Sequence, residues 1–159
     1  MGGNNSYNKT LDRVRGSKRS HQEYHHRIDG HKILLQNRCK RQVKVPVNSN
    51  SESPIYLCGR KRKDGSVEIS SIGIYKDHKC VGQIDLEFDS KGNLIPFGNN
   101  GKGTSHYHNF PQNAKTGEVS RKSGDKQNHL PIDSKYESLI NKIIEYNNTS
   151  VNFYRKIKS

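Results

Sequence analysis

The chain contains no tryptophan, one methionine and only three cysteines among its 159 residues. Cys39, Cys58 and Cys80 are odd in number and too widely spaced for a CxxC pair. This argues against a disulfide framework or a cysteine-built zinc site and is typical of a reducing compartment. The sequence also lacks any apolar run long enough to span a membrane. We therefore expect no transmembrane segment and a cytoplasmic location.

Acidic residues are scarce in the N-terminal part of the chain. Residues 1–63 contain 15 Lys and Arg but only 4 Asp and Glu, whereas residues 64–159 contain 13 and 11. Hydrophobic residues make up only 29% of the chain, so part of it has too little apolar surface to pack. These patterns predict a basic, partly disordered arm over residues 1–52 and a folded domain over residues 53–159.

A block this basic attracts a polyanion, and nucleic acid is the commonest one. The alternative is a solvated basic tail without a partner. If the arm binds nucleic acid, its cations contact phosphates and make the affinity depend on salt. The candidate contacts in the arm are Arg13, Arg15, Lys18, Arg19, Arg27, Lys32, Arg38, Lys40 and Arg41.

From Ser53 onward the sequence alternates between strand-like stretches and turns. Asp64-Gly65 predicts a hairpin turn, and a change of apolar parity predicts a bulge near Ser70-Ser71. The next strand places Cys80, Ile84, Leu86 and Phe88 on one face and Gln83, Asp85, Glu87 and Asp89 on the other. We interpret the acidic face as solvated, which makes this a half-buried antiparallel strand.

The clearest periodicity belongs to a C-terminal helix. Ser134 and Glu137 have capping-box spacing, and apolar residues recur from Tyr136 to Ile144 at helical intervals. Asn147-Asn148 is expected to end the helix, and a final strand is expected to follow. The fold class is therefore α+β: a twisted antiparallel sheet, a meander of three to five strands, with one C-terminal helix packed on it.

Two histidines one residue apart, in the stretch SHYHNF, suggest a functional centre. In a strand His106 and His108 project from the same face. Imidazoles suit both proton-transfer roles in RNA cleavage, and nearby cations can stabilise the charged phosphate. His129 is a third imidazole close to the helix, and the candidate catalytic residues are His106, His108 and His129. The candidate nucleic-acid contacts around them are Lys102, Tyr107, Phe110, Arg121 and Lys122.

Two other interpretations of the pair remain open. Either the histidines are ligands of one metal ion, or they form the polar face of a solvent-exposed strand. A metal site needs a third ligand. His129, Glu118, Asp125 or the acidic strand face supplies candidates, but no spacing selects among them. We expect acid–base chemistry without a metal or another cofactor.

The motifs YKDHKCVGQIDLEFDSKGNLIPF, SHYHNF and RKSGDKQNHLPI occur in this order. Over about residues 54–146 the chain resembles C-terminal domains of prophages, mobile elements and polymorphic toxins of low-GC Gram-positive bacteria. The resemblance implies a small toxin-like effector, with a nuclease activity and a sheet-plus-helix fold. It also implies that His106 and His108 form the site and that Arg121 and Lys122 contact phosphate.

The hypothesis from the sequence is a nucleic-acid-binding effector, a metal-independent ribonuclease-like domain that uses a histidine pair. Its expected partner is nucleic acid, RNA in preference to DNA, with a host nucleoprotein complex or a cognate inhibitor as a further partner. The alternative is a non-enzymatic phage or mobile-element accessory protein that binds nucleic acid or a host nucleoprotein complex.

The charge distribution predicts salt-dependent RNA binding. The full chain should bind single-stranded RNA at low salt, and the logarithm of its affinity should fall linearly with the logarithm of salt concentration, by about 0.7 per phosphate contact. Fluorescence anisotropy with a labelled oligonucleotide measures this slope. No binding at low salt would contradict the nucleic-acid hypothesis.

Overall fold

The computed structural model describes residues 21–36, 43, 45–49, 53–62, 64–119 and 129–158. Six strands form one sheet, and a long helix follows them. The elements are β1 (Gln22–Ile28), β2 (His31–Leu35), β3 (Ile55–Lys61), β4 (Val67–Lys76), β5 (Lys79–Asp85), β6 (His106–Asn109) and α1 (Glu137–Lys158).

The strands lie in the sheet in chain order, from β1 at one edge to β6 at the other. The α+β prediction with one C-terminal helix is confirmed. The sheet, however, is mixed and has six strands, because β2 and β3 pair in parallel. Parallel neighbours need a crossover connection rather than a hairpin. The chain between Leu35 and Ile55 makes that connection. Strands β1 and β2, which precede it, join the sheet through the pairing of β2 with β3.

Two strands therefore come from within the predicted arm. Ile28, Ile33 and Leu35 belong to the main core cluster, and Leu34 is fully buried on the other face. This apolar run explains why β1 and β2 join the sheet, and the expectation of poor packing is wrong for residues 22–35. Residues 1–20 lie outside the described residues, and the boundary at residue 52 stays a prediction.

The predicted turn and bulge in the centre of the sheet are confirmed. Gly65 has a φ of 88° in the turn between β3 and β4. Cys58 pairs with Ser71 and Gly59 with Ile69, so Ser70 is the extra residue of a bulge. The bulge restores the inward direction of the apolar side chains on both sides of it, since Ile69 and Ile72 are both fully buried in the same cluster.

Helix α1 covers one face of the sheet, as predicted. Leu139, Ile140 and Ile143 are buried in the same cluster as Ile84 and Leu86. The expected capping box does not form. Instead, a short 3₁₀ turn precedes the helix, and the Asp133 side chain accepts a hydrogen bond from the Lys135 backbone N–H at its start.

The predicted end of the helix and the predicted final strand are both wrong. The helix continues through Asn147 to Lys158. The Asn147 side chain accepts a hydrogen bond from the Ile69 N–H at 2.8 Å and donates one to the Ile69 carbonyl at 2.9 Å. Asn147 thus satisfies the backbone N–H and carbonyl of Ile69, at a point of β4 that does not pair with β5. It therefore anchors the helix to the sheet and does not end it.

The opposite face of the sheet is also covered. A second cluster buries Leu34, Tyr56, Tyr75, Cys80 and Phe110 together with two residues of the crossover connection, Val43 and Val45. Cys80 reaches this face because the register between β4 and β5 shifts between Ile74 and Tyr75, which corrects its predicted direction. No helix in the described part of the chain combines the length and apolar composition needed to cross a bilayer.

The packing of α1 predicts the effect of a charge at Ile143. Ile143→Asp removes a fully buried side chain and buries a carboxylate, so we expect a loss of more than about 4 kcal/mol in the free energy of unfolding. Asn141→Asp, at an exposed position of the same helix, is the matched control and should change stability by less than about 0.5 kcal/mol. Chemical denaturation followed by circular dichroism measures both. Equal stabilities would show that the helix does not pack through Ile143.

Candidate active site

The predicted histidine pair lies on β6, and its partners lie directly across the ladder on β5. In this antiparallel register His106 is opposite Asp85 and His108 is opposite Gln83. Because alternate residues of a strand point to the same face, all four side chains project to one side. That side is the face opposite α1, since Ile84, between Gln83 and Asp85, points into the helix-covered core. His106 and His108 therefore share a face, as expected.

Three side-chain atoms meet at close range in this region. The Nε2 atoms of His106 and His108 are 3.0 Å apart. The Asp85 Oδ2 atom is 3.2 Å from the first and 2.9 Å from the second. All three residues are at most 6% exposed, so this triangle is shielded from bulk water.

Further hydrogen bonds hold the outer side of the triangle. The Nδ1 atom of His106 lies 2.7 Å from the Thr104 carbonyl, which can only accept, so Nδ1 carries a proton. The other oxygen of Asp85, Oδ1, accepts from Gln83 Nε2 at 2.6 Å. The Ser71 hydroxyl donates to the Val43 carbonyl at 2.9 Å and lies 3.4 Å from Oδ1. These contacts fix both side chains and direct His106 Nε2 and Asp85 Oδ2 towards each other.

The third predicted imidazole, His129, joins the pair through a backbone bridge. Tyr107 and Leu130 exchange two backbone hydrogen bonds of 2.8 and 2.9 Å, which places the residue before Leu130 beside the strand. The His129 ring centre is 4.7 Å from that of His106 and 4.9 Å from that of His108. One ring nitrogen from each of the three histidines lies within 4.8 Å of the others. We call Asp85, His106, His108 and His129 the histidine centre.

Burial and hydrogen bonding act in opposite directions on the charges of this centre. Burial alone would raise the pKa of Asp85, but hydrogen bonds with His106, His108 and Gln83 outweigh it and lower the pKa to about 2. Burial acts to lower the pKa of His106, but its bonds to Asp85 and the Thr104 carbonyl raise it above the usual value. Asp85 is therefore ionised at neutral pH and favours positive charge beside it.

Three of the predicted cationic contacts lie in the described part of the chain. Arg27 is exposed on β1, at the sheet edge opposite β6. Lys32 is only 2% exposed and pairs with Glu23 at 3.5 Å, so in this conformation it offers no surface to a phosphate. Lys102 is exposed in the turn that leads into β6. The remaining predicted cations lie outside the described residues: Arg13, Arg15, Lys18, Arg19, Arg38, Lys40, Arg41, Arg121 and Lys122.

The two predicted aromatic contacts lie on different faces of the strand. Tyr107 projects opposite to the histidines and packs at the edge of the helix-covered core. Phe110 is 4% exposed in the second cluster, with its ring parallel to that of His108 at 6.3 Å. The Phe110 ring therefore lies parallel to the His108 ring within the buried cluster. Base stacking by either residue stays a prediction.

Asp85 has a central role that the sequence did not reveal. The predicted alternation holds from Gln83 to Asp85 but not at Cys80. The inference that the face of Asp85 is solvated is wrong, because Asp85 is only 2% exposed. A usable signal was present in Phe110, which shares its parity with His106 and His108. A large apolar residue on the histidine face indicates that this face is covered too.

Comparison with models of known protein families, with curated proteins and with solved structures finds no match for this chain. The assignment of a function therefore rests on the chemistry of the histidine centre and on the charge of the chain.

The contact between Gly101 and His129 predicts a local substitution effect. Gly101 has a φ of 84°, and a Cβ added there would collide with the His129 Cβ. Gly101→Ala should destabilise the protein by at least about 1 kcal/mol, since both the backbone conformation and the contact are unfavourable for alanine. The matched control is Gly98→Ala, where the backbone is extended and the space is open. Chemical denaturation compares the two, and equal stabilities would contradict this placement of His129.

Proposed function

We propose that the protein binds RNA and cleaves it at the histidine centre. The observation that carries the proposal is a group of three imidazoles, two of them in contact with one ionised carboxylate, in a chain of net charge +13. A cluster of titratable groups with perturbed pKa values is typical of a catalytic site. The charge of the chain favours a polyanionic substrate.

The proposed reaction is transesterification at a phosphodiester. A base takes the proton of the 2′-hydroxyl, and the 2′-oxygen forms a bond to phosphorus. The bond from phosphorus to the 5′-oxygen breaks, and an acid gives that oxygen a proton. The products are a 2′,3′-cyclic phosphate and a free 5′-hydroxyl. Imidazole suits both proton transfers near neutral pH.

The positions of the three imidazoles suggest a division of roles. His129 is partly exposed, whereas His106 and His108 are buried. We assign the proton transfer on the solvent side to His129. The Nε2 atoms of His106 and His108, 3.0 Å apart, are too close to lie on opposite sides of a phosphorus atom, so the pair acts as one unit. In the metal-free form of this proposal, the pair holds one proton and exchanges it with the substrate.

The charge of the chain supplies the affinity in this proposal. The basic residues of the arm, apart from the buried Lys32, contact phosphates, and Lys102 is the described cation nearest in sequence to β6. A toxin-like effector of a bacterial mobile element, acting in the cytoplasm, is the biological class that this combination favours. A host nucleoprotein complex and a cognate inhibitor are its proposed further partners.

The proposal predicts a requirement for the 2′-hydroxyl and for the imidazoles. The full chain should cleave labelled RNA but not a DNA strand or an RNA with a 2′-deoxy residue at the cleavage site. His129→Gln, His106→Gln and His108→Gln should each lower the rate by about a hundredfold or more, the size typical of losing one acid–base group. His25→Gln, at an exposed histidine of β1, is the control and should retain full activity.

RNA binding by the variants should change little, because the basic residues supply it. Equal cleavage of DNA would contradict transesterification, and full activity in the triple His→Gln variant would remove the histidine centre from the reaction. Salt-dependent binding without cleavage under any condition would favour the alternative, a non-enzymatic accessory protein that binds nucleic acid.

A further inference from the structure

In the triangle of Asp85, His106 and His108, a single proton cannot provide a hydrogen bond to every acceptor. With its proton on Nδ1, the neutral His106 ring has a lone pair on Nε2. That nitrogen lies 3.0 Å from His108 Nε2 and 3.2 Å from the Asp85 Oδ2 atom. A proton on His108 Nε2 can be donated well to only one of these two acceptors. The other acceptor is then left without a donor from the triangle, in a buried site.

The outer hydrogen bonds have the arrangement that metal ligands require. A histidine that binds a metal typically donates its second ring N–H to a carbonyl or carboxylate, which fixes the ring and directs the other nitrogen inward. His106 does this through the Thr104 carbonyl. Asp85 is held in the same way, since Gln83 and Ser71 both contact Oδ1 and leave Oδ2 on the inner side.

The charge of the site also favours a cation. Among the described residues, His106 and His108 are the only ion-pair partners of Asp85. When both imidazoles are neutral, the buried carboxylate has no positive charge beside it, and an anionic phosphate bound there would add repulsion. A bound divalent cation would offset the charge of Asp85 and leave the centre with the positive charge that a phosphate requires.

We propose that a divalent transition-metal cation of the zinc class binds to His106 Nε2, His108 Nε2 and Asp85 Oδ2, with His129 beside an open coordination position. Zinc takes such nitrogen and oxygen ligands at about 2.0–2.1 Å, which sets the edges of a tetrahedral site at about 3.3 Å. The three edges here measure 2.9, 3.0 and 3.2 Å, so a slight expansion admits the ion. The rings of His106 and His108 lie at 86° to each other, which suits ligands around one point better than a stacked pair.

This inference rests on the proposed function for its role in cleavage, but metal binding itself is tested by a separate measurement. With a cation bound, the pair carries no shared proton. It would act through charge on the phosphate oxygen, while His129 makes one of the two proton transfers and water makes the other. Cleavage then becomes sensitive to chelation, which differs from the metal-free chemistry expected from the sequence.

The experiment is a titration of the EDTA-treated, dialysed full chain with Zn²⁺ by calorimetry and with Co²⁺ by visible absorption. We expect one tight equivalent and cobalt bands typical of four-coordinate geometry. At a free zinc concentration about a hundredfold above Kd, the melting temperature should rise by about 5–10 °C. His106→Gln and Asp85→Asn should each raise Kd by about a hundredfold or more, since they remove a ligand. His129→Gln should retain the tight equivalent, and His25→Gln is the control for surface histidines.

Circular dichroism of each variant separates loss of the ligand from loss of the fold. If Asp85→Asn does not fold, the His106→Gln and His108→Gln pair of variants carries the test. Absence of a tight equivalent in the full chain would overturn the proposal, as would unchanged affinity in His106→Gln. Zinc binding without RNA cleavage would support the metal site and contradict the proposed function, whereas full cleavage in EDTA would support the proposed function and overturn the metal site.

Discussion

The contact between the Asp85 carboxylate and the two imidazoles of β6 is the interaction on which the candidate site depends. It exists because His106 lies directly opposite Asp85 in the β5–β6 ladder. Side chains alternate along a strand, so a shift of one residue would send Asp85 into the helix-covered core and Ile84 into the histidine centre. The apolar packing of Ile84 against α1 therefore also fixes the register of the site.

Coverage of both faces of the sheet gives this contact its strength. The helix buries one face, and the crossover connection with the aromatic cluster buries the other. Electrostatic interactions are stronger away from water, which is why hydrogen bonds lower the pKa of Asp85 to about 2 despite its burial. The parallel pairing of β2 with β3 contributes to this coverage, because it requires the crossover connection that carries Val43 and Val45.

The elements with local signals were predictable from the sequence, whereas the long-range contacts were not. The Asp64-Gly65 turn, the Ser70 bulge and the apolar face of α1 follow from residues close in the chain. The common face of His106 and His108 follows from strand alternation in the same way. By contrast, Asn147-Asn148 did not mark the end of the helix. Asn147 satisfies the backbone of Ile69, a partner 78 residues away that no local pattern identifies.

The role of Asp85 shows the same limit. Its position on the acidic side of β5 was clear, but the cover on this face of the sheet includes Val43 and Phe110, which come from separate parts of the chain. His129 joins the centre through the bridge between Leu130 and Tyr107, for which the sequence has no local signal. The three histidines were therefore identifiable as candidates and Asp85 was one of several possible metal ligands, but its contact with His106 and His108 became evident only from the packing.

Imidazole ¹⁵N NMR can establish whether Asp85 and the outer hydrogen bonds hold His106 in one fixed orientation. Spectra of the EDTA-treated full chain at about pH 8.5, where histidine is largely neutral, show which ring nitrogen carries the proton. We expect that His106, assigned through His106→Gln, carries it on Nδ1 and that Asp85→Asn shifts its Nε2 resonance. A proton on Nε2, or a His106 signal that Asp85→Asn leaves unchanged, would mean that these contacts do not hold the ring.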